Sequence, residues 1–465
     1  MWVLPTFGRP GRCQETLDSI GAAFPTKGLV VVDGDPDPAY RTLRTPAGWS
    51  IALRPENQGV CAVLNCVLAA YPYEPWYGFI SDDSIVATAD WSAPLIEAAG
   101  RHGFANSADG FRAHLRMHGA VVFGGDLLRA IGWWAPPGLV HCYVDDAWER
   151  LGRALGNWRR VPSVLVEHRH TLNGKAALDD TYRQAYASLG ADRTAFQRMI
   201  KEALPPAIAR ADLVVAAALD PEARRLIRAK SRSVMIGVPI ARAPCWQFTM
   251  SFSATVAAFE RLGIPYATCP VIGSSNLPRA RNEIAARFIA SGMSDLLFID
   301  DDMSWKAPSV VRLLASDKPL VAAVGRKKVD VPTKRADVWC CKFPDDAFDN
   351  LEQDDMGNVR VDRVGTGFMR IERTVFEALI YAHPEWKGHP NPEMPDNVKA
   401  AYFRFFRFGE EEMGEDYVFC ERWKDLGGEI WIDPTVGLGH TGEKTYEGCI
   451  ADIMQPEEPL AAAAE

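Results

Sequence analysis

The sequence predicts an α/β protein built twice over, two consecutive domains in which helices cover a mostly parallel sheet. Three observations carry this expectation. The chain has 465 residues, more than one hydrophobic core usually serves. Apolar β-type runs such as Leu29-Val30-Val31-Val32 alternate with amphipathic helical stretches, as in a sheet covered on both faces. Five landmarks also recur in the same order in the two halves, at a period far longer than that of a repeat array, which points to duplication of a whole domain.

The first landmark is a strand entering a proline-bearing turn, Trp2-Val3-Leu4-Pro5-Thr6-Phe7-Gly8-Arg9-Pro10 and Met235-Ile236-Gly237-Val238-Pro239-Ile240. The second is a helical segment carrying an asparagine, Asn65 or Asn282. The third is a buried-type strand ending in acids, Phe79-Ile80-Ser81-Asp82-Asp83 against Phe298-Ile299-Asp300-Asp301-Asp302. Eighteen residues separate Asn65 from Asp83 and twenty separate Asn282 from Asp302. The fourth is an acidic helix start, Val144-Asp145-Asp146 and Gly414-Glu415-Asp416, followed in each half by Glu-Arg and then Leu-Gly. The fifth ends in histidine, Val166-Glu167-His168 and Leu438-Gly439-His440.

These landmarks divide the chain into a first domain over 1–172, a helical connector over 173–231, a second domain over 232–455 and a tail over 456–465. In the connector, Phe196, Met199, Ile200, Ala203 and Leu204 fall at helical spacing. Pro205-Pro206 ends that helix, and Asp220-Pro221 reads as an N-cap followed by proline at the first position of the next.

Composition narrows the function. A formal net charge of −9 argues against wrapping long duplex nucleic acid. The ten cysteines show no metal-ligand spacing, which suits reduced thiols in a cytoplasmic protein. Met1-Trp2-Val3-Leu4 enters a strand at once, so no signal peptide is expected, and no apolar run reaches the roughly 20 residues of a membrane span.

The chemistry centres on the acids. Consecutive carboxylates at a strand end repel one another unless a cation or donors sit among them. A divalent ion held by one carboxylate and a diphosphate resolves this, as does plain helix capping or solvation. His440, in a glycine-rich loop, and its counterpart His168 are candidate metal ligands, and Lys444 beyond them is placed to meet a phosphate. Asp416 and Asp146 are candidate general bases; an acid favoured by the helix dipole is the competing explanation.

On these residues both halves resemble GT-A glycosyltransferases, particularly the large family 2 group and its relatives, over about residues 1–172 and 232–450. In the first half the resemblance rests on Pro5-Thr6 with Arg9-Pro10, Val32-Asp33-Gly34, Asn57-Gln58-Gly59, Asn65, Asp82-Asp83, Asp145-Asp146 and His168. In the second it rests on Pro239, Arg279, Arg281-Asn282, Asp300-Asp301-Asp302, Gly365-Thr366-Gly367-Phe368, Glu415-Asp416 and His440. It implies two GT-A domains, a nucleoside diphosphate sugar donor and Mn2+ or Mg2+. Pro5 and Thr6 would then line the nucleotide pocket, Asp33 would read the base, and Asp83 with His168 would hold the metal. In the second half Asp300 would meet the ribose, Asp302 with His440 the metal, and Asp416 would act as base. Asn65, Asp82, Pro239, Arg279, Arg281 and Asn282 complete the expected nucleotide-sugar positions. Ser81 departs from the pattern where a first acid is expected, and the second half has no counterpart of Asp33.

A glycan is the default acceptor, with a protein or a modified DNA base as options. The run Tyr402-Phe403-Arg404-Phe405-Phe406-Arg407-Phe408, before Glu410-Glu411-Glu412, reads either as an acceptor platform or as core packing with arginines at the rim. Arg326-Lys327-Lys328 and Lys334-Arg335 are either guides for an anion or solvated loops. A catalytic half beside a non-catalytic acceptor-binding or scaffolding half is the alternative organisation, and a sugar-phosphate nucleotidyltransferase is a weaker one.

Overall fold

The computed structural model describes residues 1–110, 117, 119–241, 243–330, 338–344, 351–410 and 413–453. The chain divides into two units, Met1–Ser231 and Arg232–Glu465. The fold class expected from the sequence is present in both, with large, mostly parallel sheets flanked by helices.

In the first unit the β-type runs become β1 (Trp2–Thr6), β2 (Gly28–Asp33), β3 (Trp49–Arg54), β4 (Trp76–Phe79), β5 (Ser84–Val86), β6 (Phe104–Ala108), β7 (Val121–Gly124) and β8 (Trp158–His168). They form one sheet in the order β3-β2-β1-β4-β7-β6-β8-β5. Only β7 and β5 run against the others. Period-two alternation buries both faces. Met1, Val3, Leu29 and Val31 join one apolar cluster with Cys61, Val63 and Leu64 of the helix Val60–Ala70. Trp2, Leu4, Val30 and Val32 join the opposite cluster with Cys13, Leu17 and Ile20 of the helix Pro10–Gly21.

The stretch 173–231 belongs to this unit. Its helices are Asp180–Glu202, Leu204–Ala218 and Pro221–Lys230. Phe196, Met199, Leu204, Ala207, Ala211 and Val215 all pack into the first cluster. Burying each large apolar side chain contributes roughly 1.5–3 kcal/mol, so these helices cover the sheet instead of linking domains freely. Pro205 and Pro206 open the second of these helices, where the missing amide costs nothing. Asp220 caps the third, accepting from the Ala223 amide at 2.9 Å.

The second unit contains β9 (Val234–Ile240), β10 (Tyr266–Ile272), β11 (Asp295–Ile299), β12 (Met303–Trp305), β13 (Leu320–Ala322), β14 (Cys341–Lys342), β15 (Val359–Val361), β16 (Arg363–Val364), β17 (Phe368–Glu372), β18 (Ile430–Ile432), β19 (Leu438–Thr441) and β20 (Thr445–Gly448). Its main sheet is ordered β10-β9-β11-β17-β13-β18-β15, with small sheets β12-β19-β20 and β14-β16 beside it. Here β17 and β15 are the reversed strands. Position by position, β2-β1-β4-β7-β6-β8 of the first sheet matches β10-β9-β11-β17-β13-β18 of the second, including the single reversed strand within the run. In each unit a short strand follows the acids and pairs antiparallel with a later one, setting Ser84 opposite His168 and Met303 opposite His440.

A charge cluster closes the base of the second sheet. Arg232 Nη1 donates to Asp295 Oδ1 at 2.8 Å and Glu372 Oε1 at 2.7 Å, and Arg370 Nη1 reaches the same oxygens at 3.1 and 3.2 Å. Both arginines and Asp295 are fully buried. Among the described residues no helix is long and apolar enough to cross a membrane.

Removing one member of a buried ion cluster strands its partners and typically costs about 3–5 kcal/mol. Asp295→Ala is therefore expected to lower the urea midpoint far more than Asp220→Ala, which removes a helix cap worth about 1 kcal/mol. Equal shifts in urea unfolding would contradict the assignment of the cluster as the stabilising charge balance.

Candidate functional site

All five residues of β11 are buried, and the strand delivers three carboxylates to its carboxyl end. There the chain turns tightly, the Met303 amide donating to the Asp300 carbonyl at 3.1 Å. From β9 the chain crosses to β10 on one side, while β11 lies on the other, so the acids stand at a topological switch point where such sheets bind ligands.

Each acid meets a different neighbour. Arg281, 2% exposed, donates from Nη2 to both oxygens of Asp300 at 3.0 and 3.2 Å and from Nε to Glu415 Oε1 at 3.0 Å. Lys328 Nζ donates to Asp302 Oδ2 at 2.5 Å, and His440 Nε2 lies 3.5 Å from that same oxygen. His440 Nδ1 is 2.8 Å from the Arg326 carbonyl oxygen, so in the neutral ring Nδ1 carries the hydrogen and Nε2 offers its lone pair. Burial opposes the charge on Asp302, but His440 and Lys328 outweigh it and hold the carboxyl below its ordinary range. Burial likewise opposes protonation of His440, and its pairing with Asp302 and the Arg326 carbonyl wins, raising its pKa. Asp301 is pushed up by burial and then by the charge of Asp302.

Asp416 opens the helix Glu415–Lys424 as its second residue. Burial, reinforced by adjacent Glu415, pushes its carboxyl up to about 6, although Oδ1 accepts from the Tyr417 amide at 2.8 Å. The loop Gly365-Thr366-Gly367 passes close to Asp300 and Asp416. A Cβ at Gly367 would sit 3.2 Å from Asp300 Oδ2, and one at Gly365 3.4 Å from Asp416 Oδ2. Arg281 Nη1 and Thr366 Oγ1 are buried there without a hydrogen-bond partner among the described residues, so donors remain for a ligand.

The donor set fits a hard divalent ion only in part. Among the described residues no group of three or more His, Cys, Asp or Glu side chains converges to hold a metal. Asp302 and His440 offer one oxygen and one nitrogen, which matches an ion whose other positions are taken by phosphate oxygens and water.

The first unit gathers the same residue types differently. A cavity of about 430 Å³ is lined by Pro5, Thr6, Asp33, Asp82, Asp83 and His168. Thr6 Oγ1 donates to Asp82 Oδ2 at 2.8 Å, and His168 Nε2 lies 3.2 Å from Asp83 Oδ1. A guanidinium stands between the two acids, with Arg9 Nη1 3.5 Å from both Asp82 Oδ1 and Asp83 Oδ2. Arg9 is locked by two bonds to Asp179 at 2.8 and 2.9 Å and by the Tyr182 ring 4.1 Å away. Tyr182 also donates its hydroxyl to Asp83 Oδ2 at 2.8 Å. Burial and then the charge of Asp83 push Asp82 up to about 6. Burial works against Asp83 as well, yet His168, Ser81 and Tyr182 hold it well below the carboxylate range.

Several expected residues are otherwise engaged. Asp33 accepts from Arg54 Nη1 at 2.5 Å and from the Gln58 and Gly59 amides at 3.1 and 2.8 Å, so a base would have to displace bonds already made. Asn65 accepts from the Trp134 and Ala135 amides and donates to the Ala135 carbonyl, and it does not line the cavity. Asn282 exchanges two 2.8 Å bonds with the Phe406 backbone in the same manner. Pro239 is buried within β9, Arg279 is exposed at a separate groove, and Lys444 pairs with Asp330.

Asp145, not Asp146, lines the cavity. Asp145 is the second residue of the helix Val144–Leu155, as Asp416 is of its own, and each lies ten residues before its Leu-Gly pair. Glu411, Glu412, Lys334, Arg335 and the 456–465 tail lie outside the described residues. Arg9 was named within its motif without a role, and Tyr182 in the connector was not singled out by the sequence; a tyrosine 99 residues from its carboxylate partner leaves no local signal.

No family model matches the chain, and no curated protein matches it. Among solved structures it is similar to A197 from STIV, at 14% identity and TM-score 0.29 over 47% of this chain and 91% of that one. It is similar to S. aureus TarS 1-349 in complex with UDP-GlcNAc at 12% identity and TM-score 0.31, covering 62% and 80%. A third is GalNAc-T7 with UDP, GalNAc and Mn2+, at 12% identity and TM-score 0.32, covering 49% of each chain. At such scores the site is read from its own geometry.

Proposed function

We propose that the chain is a glycosyltransferase of the GT-A type, that its two units are tandem copies of that fold, and that the second unit carries the reaction. The observation behind this reading is the convergence of the Asp302–His440 pair, the Asp300–Arg281–Glu415 chain and half-buried Asp416 around one glycine loop at the switch point of the second sheet. The substrates would be a nucleoside diphosphate sugar and an acceptor hydroxyl. Ten free thiols fit a cytoplasmic enzyme.

In this reading Asp300, oriented by Arg281, receives the ribose hydroxyls. Asp416 takes the acceptor proton as the acceptor oxygen bonds to the anomeric carbon and the bond from that carbon to the diphosphate oxygen breaks. A carboxylate held near pH 6 combines a useful ionised fraction with enough basicity for this transfer. Mn2+ or Mg2+ held by Asp302 and His440 would supply Lewis-acid stabilisation of the departing diphosphate. Lys328, released from Asp302, would donate to the phosphate oxygens.

The first unit is read as a non-catalytic copy. Its acids already have a cation in Arg9, and Tyr182 covers Asp83.

Nucleotide release from UDP-, GDP-, CMP- and dTDP-sugars with Mn2+ or Mg2+ tests the assignment. Asp302→Ala is expected to lower it at least about 100-fold, a typical loss for a group stabilising transition-state charge, while Asp83→Ala leaves it within about twofold. Comparable losses would mean two working sites, and a silent panel with no metal-dependent nucleotide binding would remove the transferase reading.

Because the base acts deprotonated, the transfer rate should climb as pH rises through about 6 and level off above. Asp416→Asn should erase that limb and slow transfer by about 100- to 10,000-fold. An unchanged pH–rate profile in this variant would exclude Asp416 as the base.

Lys328→Gln removes a cation that competes for Asp302. Electron paramagnetic resonance titration should find tighter Mn2+ binding in the nucleotide-free variant and calorimetry weaker nucleoside diphosphate binding; parallel changes in both would contradict the exchange role.

A further inference from the structure

We infer that the second unit binds an anionic saccharide, one bearing phosphate or carboxylate groups, in a groove beside the acid cluster. This rests on the transferase reading, in which that saccharide is the acceptor. The groove encloses about 780 Å³, within the range of small-ligand sites, and four arginines line it: Arg279, Arg404, Arg407 and Arg422. Asp425 is its one lining carboxylate, and none of the four arginines forms an ion pair among the described residues. The charges therefore bear on one another. Burial, followed by the charges of Arg407 and Arg404, pushes Arg422 down to about 10.

The floor is preorganised. Arg422 Nη1 donates to the carbonyls of Arg404 and Phe405 at 2.5 and 2.6 Å, and its guanidinium lies 3.9 Å from the Trp386 ring centroid. His383 stacks on Trp386 with centroids 4.0 Å apart, so the indole is already occupied by a guanidinium and an imidazole. The run 402–408 is divided by side. Tyr402, Phe405 and Phe406 are buried, while Arg404, Arg407 and Phe408 are exposed. The run is core packing and a charged rim at once.

The groove is separate from the acid cluster but shares elements with it. Asn282 lines it, and adjacent Arg281 holds Asp300 and Glu415. Arg422 lies six residues beyond Asp416 on one helix, a rise of about 9 Å. Along that helix axis the groove and the proposed base are therefore separated by fewer than two turns.

The ring surfaces favour a saccharide over single-stranded nucleic acid. Stacking of successive bases needs successive open aromatic faces. Here Trp386 is covered and Tyr402 buried, leaving Phe408 and His389 apart at the rim, whereas the exposed guanidinium forks of Arg279, Arg404 and Arg407 suit phosphate or carboxylate oxygens directly.

Calorimetry on the full chain at low salt decides this, using hexagalacturonate, phosphorylated maltohexaose, neutral maltohexaose and dT10 as probes. At least one acidic hexamer should bind about 10-fold or more tightly than maltohexaose, and the acidic arm that responds identifies carboxylate or phosphate. Arg404→Gln/Arg407→Gln should weaken that binding about 10-fold while Arg261→Gln/Lys306→Gln, an equal charge change elsewhere on the unit, leaves it within about twofold; thermal melts of both variants check the fold. Equal binding of acidic and neutral hexamers, tightest binding of dT10, or equal losses in the two variants would overturn the groove. Mn2+-dependent nucleoside diphosphate binding by the wild type, measured on the same samples, reports on the transferase assignment separately: its absence removes the acceptor role even where the anion binds.

Discussion

Carboxylates placed in succession at the end of a buried strand cannot share that position without positive charge among them, and both units are organised around this constraint. Two like charges about 4 Å apart at an effective dielectric near 20 repel by about 4 kcal/mol. The first unit answers with Arg9, whose side chain is 7% exposed and fixed by Asp179 and Tyr182. The second answers twice. Buried Arg281 pairs with Asp300, whereas Lys328, with its side chain 35% exposed, pairs with Asp302 from a surface loop. The same electrostatic problem thus has a buried solution in one unit and a partly exposed one in the other.

The strand ends stay in register because the surrounding layers leave them little freedom. In the first unit both sheet faces are buried, and helices from 173–231 complete one of them. Asn65 and Asn282, which sit on equivalent helices, each bind the backbone of a distant loop through both ends of the amide. A side chain that donates and accepts is well suited to fastening a loop, and that use accounts for an asparagine at both places without a ligand.

Local pattern made much of this legible. Continuous apolar runs marked strands, Asp220-Pro221 marked a helix start, and five recurring landmarks led to the expectation of a mostly parallel sheet in each half; the strand order itself had no signature in the sequence. Helical phase near the acidic helix was less legible: two adjacent aspartates differ by 100° in direction, and only the helix start at Val144 selects Asp145 as the one facing the cavity. Contacts that depend on tertiary closure left no trace in sequence. Neither Tyr182 on Asp83 nor Lys328 on Asp302 has a local spacing signature, and the arginine groove draws its members from positions 279, 404, 407 and 422.

The Arg326 carbonyl that receives His440 Nδ1 stands two residues before Lys328 on the same loop. One short length of backbone therefore governs both the orientation of an imidazole lone pair and the presence of an ammonium at the neighbouring carboxylate. A displacement of this loop alters the two together, so under the proposed function ion affinity and phosphate affinity would be thermodynamically linked through it, each ligand shifting the other by the same factor. Order of assembly would then be a property of one loop rather than of two separate binding sites.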